Sequence, residues 1–126
     1  MLTFILMRKK GEYIENPNSR STCPIANTLD IVGDKWTLLI IRDILRGKSK
    51  YGEFASSVEG IPTNILAARL RTLEENGLVR KRPYSKKPLR FEYLLTKAGR
   101  RLESLVKMIR DWGFENLSPD ALKNGE

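Results

Sequence analysis

Residues 51–76 read YGEFASSVEGIPTNILAARLRTLEEN, and the fold of the chain turns on them. Phe54 and Val58 stand four apart, one turn of helix, which predicts a short helix over 51–58 that buries both. Glu59-Gly60-Ile61-Pro62 breaks that helix with a turn, because glycine supplies backbone freedom and proline fixes its own φ. A longer helix is expected over 63–76. At about 100° per residue, Leu66, Leu70 and Leu73 fall within about 60° of one face. Opposite that stripe stand Asn64, Ala68 and Arg71, with Thr63 at the N-terminal tip. A short helix, a tight turn and a second helix with a small, polar outer face make a helix-turn-helix plan.

Downstream the period changes. Asn76-Gly77 ends the helix, since both residues tolerate positive φ. Residues 78–82 (LVRKR) and 89–95 (LRFEYLL) read as two strands, the second with Leu89, Phe91 and Tyr93 on one face and Arg90 and Glu92 on the other. Residues 83–88 (PYSKKP) between them read as a turn-rich loop carrying two lysines. Thr96 is placed to cap a last long helix, in which Leu102, Leu105, Val106, Ile109 and Trp112 form one stripe. Residues 118–126 form a tail with little to bury.

Upstream, Pro24 suits the first turn of a helix capped by Thr22 or Cys23, with Ile25, Leu29 and Val32 at helical spacing and Gly33 as a left-handed stop. Asp34 would cap a second helix over 35–45 with Trp36, Leu39, Ile40 and Ile44 on its apolar face and Gly47 as its end. Residues 8–22 are polar and read as a flexible arm. Residues 1–7 (MLTFILM) are an apolar extension, either an artefact of the assigned start or a segment that packs on a partner subunit. The expected division is an arm over 1–21, one domain over 22–117 and a tail over 118–126, with mainly α structure and a small β-hairpin (α+β).

Charge is concentrated on these elements. The 126 residues carry 23 Lys and Arg against 15 Asp and Glu, a net +8. Between Ile61 and Arg101, eleven basic residues face three acids, so that stretch alone holds +8. Arg80 to Arg90 contains six cations and no anion. A solvated helix face normally mixes signs; a single-sign block beside a helix-turn-helix points to phosphate. A helix enters the major groove with small and polar residues outward. Asn reads adenine bidentately, Arg reads guanine, and Ala permits close approach. Thr63, Asn64, Ala68 and Arg71 are therefore the candidate base readers. Tyr51, Arg69, Lys86, Lys87 and Arg90 are candidates for the backbone of double-stranded DNA, with Arg69 bordering the buried stripe and so suited to a phosphate or an intraprotein contact.

The absences exclude other classes. With no histidine and one cysteine, the chain has no Ser-His-Asp triad, no histidine metal ligand, no internal disulfide and no cysteine cluster for zinc. No apolar run approaches the roughly 20 residues of a membrane span. The expectation is a cytoplasmic protein, not an enzyme, with no metal and no cofactor. Asp34 reads as a helix cap, and Trp36 and Trp112 as structural residues.

The order of short motifs adds to this. Cys23-Pro24-Ile25, Gly33-Asp34-Lys35-Trp36, Arg42-Asp43 and Tyr51-Gly52-Glu53-Phe54 are followed by Ile65-Leu66, Arg69-Leu70-Arg71, Leu73-Glu74, Gly77-Leu78-Val79 and Glu92-Tyr93-x-Leu95-Thr96-x-x-Gly99. Over residues 23–112 the chain resembles the HxlR family of prokaryotic winged helix-turn-helix regulators, relatives of the MarR group. The resemblance implies a homodimer whose first and last helices pair across a two-fold axis, and binding to an inverted-repeat operator as repressor or activator, with an inducer that the residues do not identify. On that reading Ile25, Leu29, Leu102, Leu105, Val106, Ile109 and Trp112 form the dimerisation helices' contact face. Some members of the family sense oxidants or electrophiles through a cysteine at the place of Cys23. A thiol at a helix N-terminus also feels the positive end of the dipole, which favours thiolate. The alternative for Cys23 is a small packing residue at the dimer seam. The alternative for the whole chain is a winged RNA-binding or protein-interaction module that reads no DNA sequence.

Overall fold

The computed structural model describes residues 13–122; the apolar start and residues 123–126 lie outside the described residues. Helix α1 (Pro24–Val32) opens as expected, with Cys23 as an extended N-cap and Pro24 in the first turn, where its missing N–H costs nothing. Gly33 corrects the expectation of a left-handed stop: its φ is −83° and its N–H donates to the Leu29 carbonyl at 2.8 Å. It is a glycine for another reason, since a Cβ there would lie 2.3 Å from the Leu29 oxygen.

Helix α2 (Thr37–Leu45) begins two residues later than expected. The Asp34 carboxylate does cap, but it accepts from the backbone N–H of both Trp36 and Thr37 at 3.0 Å, which holds the intervening residues in a turn. Its buried face is also rotated from the expected one. Thr37, Ile40, Ile41 and Asp43 are buried, whereas Leu39 and Ile44 are only half-buried. Gly47, at φ 102°, ends it as expected.

Helix α3 (Tyr51–Ala55) is shorter than the spacing predicts. Phe54 is buried, but Val58 is 88% exposed. Ser57 explains the difference. Its hydroxyl donates to buried Asp43 and Gly60 N–H closes onto its carbonyl at 3.0 Å, so the chain turns and Val58 points out. Helix α4 (Thr63–Glu75) buries Leu66, Leu70 and Leu73 as expected. It ends in a Schellman motif. Gly77, at φ 72°, donates to Glu74 and Leu78 donates to Leu73.

Strands β1 (Val79–Lys86) and β2 (Leu89–Leu95) form an antiparallel hairpin running from Val79 opposite Leu95 to Lys86 opposite Leu89. The expected loop over 83–88 is therefore mostly strand. Among the described residues the sheet has two strands, so β1 is an edge strand and tolerates Pro83, and a bulge between Pro83 and Ser85 absorbs Tyr84.

The expected single last helix is two. Thr96 Oγ accepts from Gly99 N–H at 3.1 Å and starts α5 (Lys97–Arg100). A tight Leu102 N–H to Gly99 carbonyl bond then turns the chain into α6 (Glu103–Asn116). Gly99 lies so close to the hairpin base that a Cβ would sit 2.1 Å from the Leu78 oxygen. A 3₁₀ turn (Pro119–Leu122) comes last.

The core is gathered from Val32, Ile40, Ile41, Phe54, Ile61, Leu66, Leu70, Leu73, Leu78, Val79 and Leu95. It ties the helix-turn-helix to the hairpin base. Over its described part the expected flexible arm is tied down as well. Ile14 packs on this core, Asn16 donates to Asn27 and Asp30, and Arg20 pairs with Asp30 at 2.7 Å. An apolar side chain and a polar ladder along α1 outweigh what the local composition predicts.

Candidate nucleic-acid interface

The buried leucine stripe of α4 fixes which residues face out. Thr63, Asn64, Ala67, Ala68 and Arg71 are all exposed. Ala67 is not among the residues expected from the sequence, although its position three residues after Asn64 puts it on the same face. The start of α4 is held by α3, because the Tyr51 hydroxyl donates to the Thr63 carbonyl at 2.8 Å. Tyr51 thus has an intraprotein role beside the backbone contact expected of it.

Arg69 stands apart from this exposed face. Its Nε lies 3.2 Å from Asp34 Oδ2, which joins α4 to the turn between α1 and α2. Burial works against the charge on Asp34. Hydrogen bonds from Thr37 and Trp36, together with Arg69, outweigh it and hold the carboxyl below the usual range.

At the hairpin end Lys86, Lys87 and Arg90 are exposed and, like Arg71, make no ion pair with another described residue. Two charges nearer the hairpin base are paired within the chain, Arg82 with Glu92 at 2.6 Å and Lys81 with Glu74 at 4.0 Å, while Arg80 beside them is exposed. Cations without an ion pair to another described residue therefore include those at the hairpin tip and Arg71 on the outer face of α4, beside others at Arg80, Lys97, Arg100 and Arg101.

Elsewhere lies a network that residue spacing alone does not reveal. Arg42 forks onto Glu59 with two 2.8 Å bonds and also donates to buried Asp43 at 2.9 and 3.1 Å. Asp43 takes a further bond from Ser57. The network fastens α2 to the turn between α3 and α4. An aspartate inside the apolar register of α2 is the one signal of it in the sequence, since a buried carboxylate requires a partner. Hydrogen bonds from Arg42 pull Glu59 from its ordinary 4.5 down to about 2. A depressed acid contributes stability that is complete above pH 4.5 and is lost as pH falls toward 2. The Glu59 side chain is 32% exposed, and solvent screening holds that contribution to about 1 kcal/mol. Urea titrations at pH 5.5 and 2.5 should show this loss in the native chain and a smaller one in Glu59→Gln.

Apolar residues remain uncovered elsewhere. Ile25 and Leu29 on α1 are 71% and 51% exposed. On α6, Leu102 at its entry and Val106 lean into the chain's own core and Leu105 is half-buried, while Met108, Ile109 and Phe114 are exposed. Trp112, expected to be structural, is 61% exposed and takes no part in this chain's core. Cys23 is an exposed free thiol at the start of α1. Among the described residues no group of three or more His, Cys, Asp or Glu could hold a metal ion, and no helix is long and apolar enough to cross a membrane.

Known proteins share this geometry. The model of the HxlR-like helix-turn-helix family matches residues 31–121. The HTH-type transcriptional regulator YybR of Bacillus subtilis is 35% identical over 111 residues, covering 88% of this chain and 86% of that protein. The HTH-type transcriptional regulator Rv3095 of Mycobacterium tuberculosis is 43% identical over 93 residues, 74% of this chain, which spans 58% of that relative's length. Among solved structures, the redox regulator HypR in its oxidised form superposes with a TM-score of 0.70 at 35% identity, covering 76% of this chain and 99% of that one.

Proposed function

Because the chain belongs to the HxlR-like helix-turn-helix family of transcriptional regulators, we propose that it is a homodimeric, cytoplasmic, sequence-specific DNA-binding regulator without catalytic activity. The observation that carries this reading is the pairing of a small, polar α4 face with a hairpin tip of unpaired cations. Thr63, Asn64, Ala68 and Arg71 read bases in the major groove, and Lys86, Lys87 and Arg90 grip the phosphate backbone. Arg69 and Tyr51 brace the reading helix and present their exposed edges to the same backbone. The working unit is residues 22–117 with 13–21 laid along α1.

Dimerisation is supported by what α1 and α6 leave uncovered. Ile25, Leu29, Met108, Ile109, Trp112, Phe114 and Leu117 are large, apolar and exposed, and monomers rarely leave so much apolar surface in contact with water. A two-fold dimer selects an inverted repeat with half-sites about 10–10.5 bp apart.

Selection from a random pool of duplex DNA by the purified chain tests the proposal; an enriched inverted repeat supports it. Equal affinity for selected duplex, random duplex and structured RNA would favour the alternative, a winged RNA-binding or protein-interaction module. Arg71→Ala is expected to cost about 1–3 kcal/mol and relax preference at one position. Lys87→Ala should weaken all sequences alike and reduce the salt slope by about one. Competition binding across a salt series separates the two.

A second reading rests on the exposed Cys23 thiol and on the similarity to HypR, a redox regulator. Oxidation or alkylation at Cys23 releases DNA. With no second cysteine in the chain, the product is a mixed disulfide, an adduct or a bond between two subunits. Release by a thiol oxidant that Cys23→Ser abolishes would support it; release that persists in Cys23→Ser would leave Cys23 a packing residue.

A further inference from the structure

Midway along β2 the hairpin meets the segment that leads into α3. Glu92, in mid-strand β2, accepts from Arg82 Nε and Nη2 at 3.0 and 2.6 Å through one carboxylate oxygen. Through the other it accepts from Ser49 Oγ at 3.3 Å. Around this carboxylate, Tyr93 N–H donates to the Ser49 carbonyl at 2.7 Å and Lys50 bridges to Glu92 as a fragment of a third strand. The Lys50 ammonium also sits 4.6 Å from the centre of the Tyr84 ring, the residue in the hairpin bulge. Ser49 and Lys50 lead directly into α3, whose Tyr51 holds the start of α4. One carboxylate therefore joins the wing to the elements that aim the reading helix.

We infer that Glu92 is a positioning residue for DNA binding, setting the angle of the hairpin tip relative to α4. This rests on the DNA-binding reading above. The mechanics come from leverage. The turn at Lys87-Pro88 lies about 13 Å beyond Glu92 at strand rise. A pivot of about 15° at the tether moves the tip by about 3 Å, as long as a hydrogen bond itself. A tip free to swing pays more entropy to dock its lysines and docks them less often.

The sign of one substitution separates this role from plain electrostatics. Glu92→Gln removes an anion from a surface that meets phosphate and leaves Arg82 unpaired. If Glu92 only tempers charge, the variant binds the duplex enriched from the random pool more tightly and with a steeper salt slope. If Glu92 positions the wing, the variant binds about tenfold more weakly despite the added positive charge, and Lys87→Ala then has little further effect in the Glu92→Gln background. Tighter binding, or a Lys87→Ala effect of the same size in both backgrounds, overturns the inference. Amide exchange of Tyr93 supplies a reading without DNA. It should quicken in Glu92→Gln while the melting temperature stays near that of the native chain; unchanged exchange counts against the tether. Should the chain bind no duplex, the DNA reading fails while the exchange result still decides the tether. If Glu92→Gln does not fold, Ser49→Ala removes one arm of the tether and takes the same measurements, with a smaller loss expected.

Discussion

Replacing Arg42 by alanine is expected to lower the unfolding free energy by about 3–5 kcal/mol, the range found when one member of a buried ion pair is removed. The size comes from what is left behind. The Asp43 side chain is only 5% exposed and would lose both guanidinium bonds at once. Ser57 and the Lys48 ammonium, 4.0 Å away, would remain, which places the expected loss toward the lower end. Glu59 would lose its two-pronged partner and reach water more easily. Urea titration measures the shift, and Arg42→Lys should recover only part of it, because an ammonium cannot fork onto Glu59 while bonding Asp43. A loss below about 1 kcal/mol would mean that water or Lys48 already compensates the carboxylate, and that the α2 brace carries little of the fold.

Phe54→Ala is expected to cost as much, about 3–5 kcal/mol, through lost burial and the cavity left behind. Phe54 is 1% exposed and meets Tyr93 edge-on, with ring centres 6.3 Å apart. The effect on binding should exceed the effect on stability. Helix α3 has five residues and one buried side chain, Phe54. A helix that short has no stability of its own and exists through its tertiary contacts. Without Phe54, Tyr51 loses its place under Thr63, and α4 loses a support at its N-terminal end. Thermal denaturation combined with duplex binding well below the melting temperature checks both parts. Phe54→Leu, which keeps most of the volume, should cost about 1 kcal/mol and retain binding. Normal affinity in a folded Phe54→Ala protein would show that α3 does not position α4.

Much of the fold was legible because local rules and tertiary demands agreed. Leu66, Leu70 and Leu73 repeat at helical spacing and are the buried face of α4; Pro24, Thr96 and Gly77 mark ends that depend on their own φ, hydroxyl or hydrogen bonds. Helix period, capping chemistry and glycine conformation act within a few residues, so they can be read from one line of text. The same holds for the block of cations from Arg80 to Arg90, which residue types alone make plain.

What escaped the sequence depends on contacts between distant residues. Val58 has the right spacing for the core, yet Ser57's bond to Asp43, fourteen positions away, turns it outward. Proline and lysine in 83–88 resemble a loop, but pairing with β2 makes most of it strand. The polar stretch before α1 is held by Ile14 on a core assembled from the rest of the chain. Which cations pair within the chain was likewise decided in three dimensions: Arg82 stands in the same block as Lys86, Lys87 and Arg90, and only the fold brings Glu92 to it; Arg69, whose place beside the buried stripe already suited an intraprotein contact, receives its partner Asp34 from the fold. A side chain's pattern records its preference for water or core, while its partners are chosen by how the chain closes on itself.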